Sequence, residues 1–144
     1  MKVSVILQKM PARDVQTIAP EASVDDAIRN LAANRIGALV VTSGDGRVGG
    51  IISERDIVRL MGTVGSAALK TPVSEAMTRK VQCCAADDTA FDVLGRMTEG
   101  RFRHMPVLGA DGRMTGILSI GDVVKARLEE IEAENAAMVD MLSS

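Results

Sequence analysis

The chain has 144 residues, 47% of them apolar, and its 17 basic and 19 acidic side chains leave a formal charge of -2 at neutral pH. That balance excludes the basic footprint of a nucleic-acid or anionic-membrane binder. Two phenylalanines, with no tyrosine or tryptophan, exclude the aromatic platforms on which single strands stack.

In chain order, the opening Met1-Lys2-Val3-Ser4-Val5-Ile6-Leu7 is too short for a membrane span and lacks the cleavage pattern of a signal peptide. No later apolar run reaches spanning length, so no membrane partner is expected, and the two ordinary cysteines suit a reduced, cytoplasmic setting. Residues 15–18 read as a short strand closed by Pro20. Ser23-Val24-Asp25-Asp26 is a capping-box-like helix start, and Val24, Ala27, Ile28 and Leu31 then recur at helical spacing. Residues 38–41 form an apolar run without helical period, a buried strand. Gly44-Asp45-Gly46 is a turn, and residues 48–52 return as the second strand of a hairpin. A helix is expected over 54–61, ended by Gly62. Residues 62–80 are a connector containing Pro72, and their end, Val73-Ser74-Glu75-Ala76-Met77, echoes residues 3–7 as a lead-in turn. Thr89 and Asp92 start the next helix, and residues 105–108 and 114–118 form a hairpin around Asp111-Gly112.

The second half repeats the first. Shifting residues 15–58 by 66 places them on residues 81–124 without a gap, with 14 identities in the 44 pairs. Asp45-Gly46-Arg47 falls on Asp111-Gly112-Arg113, Gly50-Ile51 on Gly116-Ile117, and Ser53, Asp56 and Val58 on Ser119, Asp122 and Val124. A unit of about sixty residues buries its core poorly alone and better against its copy. The fold class is therefore α/β (α+β): two β-α-β-β-α units related by a pseudo-two-fold axis, plus a C-terminal helix. The expected division is 1–65, 66–128 and a helical tail over 129–144. Cys83 and Cys84 are adjacent, which disfavours a disulfide between them, and with a single histidine they make a poor metal set.

The segments Gly49-Gly50-Ile51-Ile52-Ser53-Glu54-Arg55-Asp56-Ile57-Val58, Arg101-Phe102-Arg103-His104-Met105-Pro106-Val107 and Gly116-Ile117-Leu118-Ser119-Ile120-Gly121-Asp122-Val123-Val124 resemble a tandem CBS (cystathionine beta-synthase) domain pair, the small stand-alone bacterial type. The resemblance covers essentially the whole chain. It implies a regulatory protein that binds adenine nucleotides between its repeats and catalyses no reaction.

Ser53 with Asp56, and Ser119 with Asp122, lie where a strand meets a helix. A carboxylate there can accept hydrogen bonds from both ribose hydroxyls, and the helix N-terminus favours phosphate. The same Ser-x-x-Asp spacing is also a plain helix cap. Arg101, Arg103 and His104 answer to Arg35, Gly37 and Ala38, so the second repeat carries additional cationic or protonatable groups. Guanidinium forks suit phosphate oxygens. The resemblance assigns Arg103 and His104 to phosphate and the Met105–Pro106 backbone to the base, and the second cleft becomes the better candidate for a phosphorylated ligand. Arg55 and Lys9 are further phosphate candidates. Thr17, Ile18, Ala38, Cys83, Cys84 and Met105 are candidate walls for an adenine ring, or ordinary core.

In the tail, Val124, Leu128, Ile131, Asn135, Met138 and Leu142 step by a heptad rule. Asn135 is placed to fix register, and Arg127 to pair with Glu132 of a partner in a parallel arrangement. A helix lying on the neighbouring domain fits the same pattern. The resemblance also implies a homodimer with four units in a disc. The functional expectation is a sensor of energy or redox state that binds AMP, ATP or NAD(H), without a catalytic cofactor, and reports to a regulated protein the sequence does not identify. The alternative is a ligand-free scaffold with the same fold. An enzyme is not expected, since there is no P-loop, nucleophile-base pattern or metal cluster.

Overall fold

A computed structural model describes residues 1–11 and 15–143. Its elements run α1 (Val3–Lys9), β1 (Thr17–Ile18), α2 (Val24–Asn34), β2 (Ala38–Val41), β3 (Gly50–Ser53), α3 (Glu54–Val64), a 3-10 turn (Gly65–Lys70), α4 (Val73–Ala76), β4 (Cys84–Ala85), α5 (Ala90–Gly100), β5 (His104–Leu108), β6 (Met114–Ser119) and α6 (Ile120–Ser143). Two three-stranded sheets result, ordered β1-β2-β3 and β4-β5-β6. In each, the first pair is parallel and the second antiparallel, because a helix crosses between the first two strands and a tight hairpin joins the last two.

The repeat is legible in the backbone. α2 and α5 both end in a left-handed residue, Arg35 at φ 53° and Arg101 at φ 56°, which are 66 positions apart. Gly46 and Gly112 share a positive φ at the hairpin turns. Those turns meet: Met114 donates its N–H to the Gly46 carbonyl, and Arg47 reaches the Asp111 carbonyl at 3.2 Å. The duplicated Asp-Gly-Arg is thus a contact between repeats as well as a turn.

The lead-ins are exchanged. Val3 of α1 is fully buried in the second repeat's core, among Met97, Met105 and Leu118. Its N–H bonds to the Asp88 carbonyl. Val73 of α4 is fully buried in the first repeat's core, among Val24, Leu39 and Ile52, and its N–H bonds to the Ala22 carbonyl. A glycine stands at each crossing. A Cβ on Gly50 would sit 2.5 Å from the Met77 sulfur, and one on Gly116 would sit 3.0 Å from Leu7. A third apolar cluster, Ala38, Val40 and Ile51 with Val81, Met114 and Ile117, joins the repeats. The expected division at 65/66 follows chain order, whereas packing places α1 with the second repeat and α4 with the first.

Two boundaries differ from expectation. Gly62 does not end α3, which runs to Val64 and stops at Gly65, whose positive φ of 64° breaks the helix. The tail is no separate unit: α6 is one helix of 24 residues, rooted at the end of β6. Leu128, Met138 and Leu142 of the heptad seam are exposed. Arg127 is engaged within the chain, 2.8 Å from Glu130 and over the Phe91 ring, rather than left for Glu132 of a partner. No described helix is long and apolar enough to cross a membrane.

Candidate functional site

Both Ser-x-x-Asp segments fold as reciprocal caps. Asp56 accepts from the Ser53 N–H at 2.9 Å and the Ser53 hydroxyl at 3.0 Å, and the Asp56 N–H donates to the Ser53 oxygen. Asp122 accepts from the Ser119 N–H at 2.9 Å, and its own N–H donates to the Ser119 oxygen. The two then part. The Thr78 hydroxyl donates to the second Asp56 oxygen at 3.0 Å, whereas Asp122 accepts hydrogen bonds from Ser119 alone among the described residues.

Thr78 arrives there by backbone pairing. It forms an antiparallel bridge with Ile51, each N–H donating to the other's carbonyl at 3.0 and 2.8 Å. The room for this approach comes from Gly50, where a Cβ would lie 2.9 Å from the Thr78 carbonyl. Thr78, Lys80, Val81 and Gln82 thereby become one wall of a cavity of about 730 Å³. The opposite walls are the N-terminal turn of α3 and the segment between α5 and β5.

Ser53, Asp56, Arg55, Arg103, His104 and Ser119, all singled out from sequence, line this cavity. The cationic residues of the second repeat thus share this cavity with Asp56 of the first, and Asp122 is not among its lining residues. Several lining residues escaped the sequence reading of the site, namely Arg59, Thr78, Lys80, Gln82 and Phe102. Part of the signal was present, because Val81 and Gln82 repeat Val15 and Gln16. The half-buried Phe102 supplies an aromatic edge and packs over Gly100, where a Cβ would lie 2.5 Å from its ring in this position.

Other expected residues lie outside this cavity. Lys9 is 3.5 Å from Glu129 at the end of α1, because the exchanged lead-in carries it to α6. Met105 and Pro106 are buried in β5, the central strand of its sheet, so their side chains belong to the core. Ile18 and Ala38 are likewise core residues, and Thr17 is exposed on β1. Cys83 is half-buried, with its carbonyl held by Arg96 at 2.8 Å. Burial pushes the Cys84 thiol up to about 11, so it is inert at neutral pH. No group of three or more His, Cys, Asp or Glu among the described residues could hold a metal.

His104 sits at the pivot of the site. Burial, reinforced by the Arg103 charge, pushes its imidazole below the ordinary value of 6.5, against the opposing pull of Glu54 and Asp122. It faces the first repeat where Gly37 leaves space. A Cβ there would lie 3.1 Å from the Glu54 carboxylate and 3.5 Å from the imidazole. Chemically, the cavity offers a carboxylate for paired hydroxyls, a helix N-terminus and guanidinium groups for anions, and an apolar ring edge.

A family model for the CBS domain matches residues 7–63 and again residues 73–129. The crystal structure of a CBS-domain containing protein from Agrobacterium tumefaciens shares 46% identity and a TM-score of 0.83, covering 88% of this chain and 99% of that one. An uncharacterized 17.7 kDa protein of Acidianus ambivalens is 33% identical over 80% of this chain and 68% of its own length. A CBS domain protein of Pyrobaculum aerophilum, solved in complex with AMP, superposes with a TM-score of 0.73 at 23% identity, covering 85% of this chain and 89% of that one. At that identity the likeness is one of fold.

Proposed function

The chain belongs to the CBS-domain family, and from that premise we propose that it is a non-catalytic regulatory module binding an adenine nucleotide in the cavity between its repeats. The observation carrying this reading is the Asp56 carboxylate, which lines an open cavity beside Arg55, Arg103 and the Phe102 ring. A ribose diol would compete with Thr78 for the outer Asp56 oxygen, while Ser53 keeps the inner one and holds the helix end in place. Phosphate would lie at the α3 N-terminus among guanidinium groups. The capacity of this fold for AMP is exhibited by the Pyrobaculum protein.

Regulation requires that the ligand bind two states of the protein differently. The second state would arise through assembly. Val58 and Val64 on α3, Phe91 on α5 and Leu128 on α6 are exposed apolar residues of the kind a second copy of this chain would cover. The setting proposed is cytoplasmic, with the bound nucleotide reporting energy or redox state to a regulated protein.

The test is thermal melting with AMP, ATP, NAD and adenosine, together with mass spectrometry of any ligand retained on purification. At a nucleotide concentration 100 times its Kd, the native state gains about 2.7 kcal/mol, a rise of roughly 10 °C. No shift with any adenine nucleotide across a millimolar range would leave the scaffold alternative.

A further inference from the structure

The charge around the cavity is lopsided. Arg55 and Arg59 come from α3, Lys80 from the connector, and Arg101 and Arg103 from the segment before β5; all line one cavity. Among the described residues two carboxylates share it, Glu54 and Asp56, and Asp56 is already held by Ser53 and Thr78. The ion pairs among the described residues form elsewhere and use none of these five cations. Arg55 donates to the Arg101 carbonyl at 3.1 Å, which leaves its charge uncompensated. Five cations less two carboxylates give the cavity +3, with His104 neutral. The whole chain carries -2, so everything outside the cavity sums to -5. A cleft of one sign on a molecule of the other focuses the field on one kind of ligand.

Resting on the nucleotide reading above, we infer that this cavity selects a nucleotide with a di- or triphosphate chain over the monophosphate. A monophosphate brings about -1.5 to -2 at neutral pH, short of what the cavity holds. Arg59 lies four residues beyond Arg55, so the two share one face of α3. They form a cationic row leading away from the Asp56 end of the cavity, with Lys80 on the facing wall. A single phosphate near Asp56 leaves the far end of that row unanswered. A longer chain extends along it.

Titration calorimetry without divalent cations tests this, with adenosine, AMP, ADP, ATP and inorganic tripolyphosphate as probes. The expected order is AMP, ADP, ATP in rising affinity, with ATP about ten-fold or more tighter than AMP and losing more of its affinity as salt rises. The double variant Arg59→Gln with Lys80→Gln should reduce ATP affinity about ten-fold and change AMP affinity less than about two-fold. Both side chains are exposed, and the charge-keeping pair Arg59→Lys with Lys80→Arg should retain the ranking, which separates lost charge from lost fold. AMP binding as tightly as ATP, with the ratio unmoved by the double variant, overturns the selectivity and leaves the nucleotide reading standing. Tripolyphosphate binding as tightly as ATP, with adenosine adding nothing, upholds the charge argument and overturns the adenine reading.

Discussion

The N-termini of α3 and α6 carry the same four-residue motif, close the same reciprocal cap, and end in different surroundings. Asp56 meets a second stretch of chain through Thr78 and lines the cavity; among the described residues Asp122 accepts hydrogen bonds from its own helix cap alone. By the 66-residue offset Thr78 answers to Ala12, which has no hydroxyl. The lesson is that Ser-x-x-Asp is structural in both places, and only what approaches its outer oxygen can make it a site. A motif duplicated for folding has diverged in what surrounds it.

The largest expected effect tests the frame that holds both caps. Val3→Ala and Val73→Ala should each cost about 2 kcal/mol, since each removes buried methyl groups from a packed core. Because the lead-ins are exchanged, hydrogen exchange should quicken in α5 for the first variant and in α2 for the second. Quickening within the variant's own half of the sequence would break the comparison at its base.

Next come the caps themselves. Asp56→Ala and Asp122→Ala should each lose about 1 kcal/mol of cap stability, with Asp56→Ala costing somewhat more because it also strands the Thr78 hydroxyl. Measured against each variant's own unliganded melting point, only Asp56→Ala should lose the shift caused by adenine nucleotide. Equal loss in both would mean that the two clefts are equivalent.

A smaller effect belongs to His104. Its folded pKa lies below the ordinary 6.5, so the unfolded chain takes up the proton first. The stability it contributes is present above about pH 6.5 and declines as pH falls through that region. His104→Gln should flatten this part of the melting profile. Ligand affinity should move the other way, rising with acidity as the imidazolium joins Arg103 in facing an anion. Smallest of all is Lys9→Gln. It removes an exposed pair with Glu129, worth about 0.5 kcal/mol or less, and should leave nucleotide binding untouched.

Much of this was legible in the chain. The 66-residue offset gave two units, the Asp-Gly turns gave the hairpins, and Ser23, Ser53 and Thr89 marked helix starts that the structure bears out. The cavity gathers Ser53, Arg55, Asp56, Arg103 and His104 from that reading. What could not be read is what depends on distant partners. Residues 3–7 and 73–77 look alike, but a short apolar turn carries no mark of which core it will enter. The Thr78–Asp56 bond spans 22 residues and follows from a backbone bridge that no local pattern announces. The charge of Lys9 suits phosphate, but α1 crosses over and carries it to Glu129. The resemblance puts the Met105–Pro106 backbone at the base, and the side chains of both residues are buried in the central strand β5.

One consequence follows from the unbroken length of α6. Ser119 stands on the cavity wall, and the next residue begins a rod of 24 residues, roughly 36 Å from root to tip. A tilt of about 10° at its base would swing the far end by roughly 6 Å on such a radius. An adjustment within the reach of a single side chain at the wall is thereby magnified where Met138 and Leu142 stand in solvent.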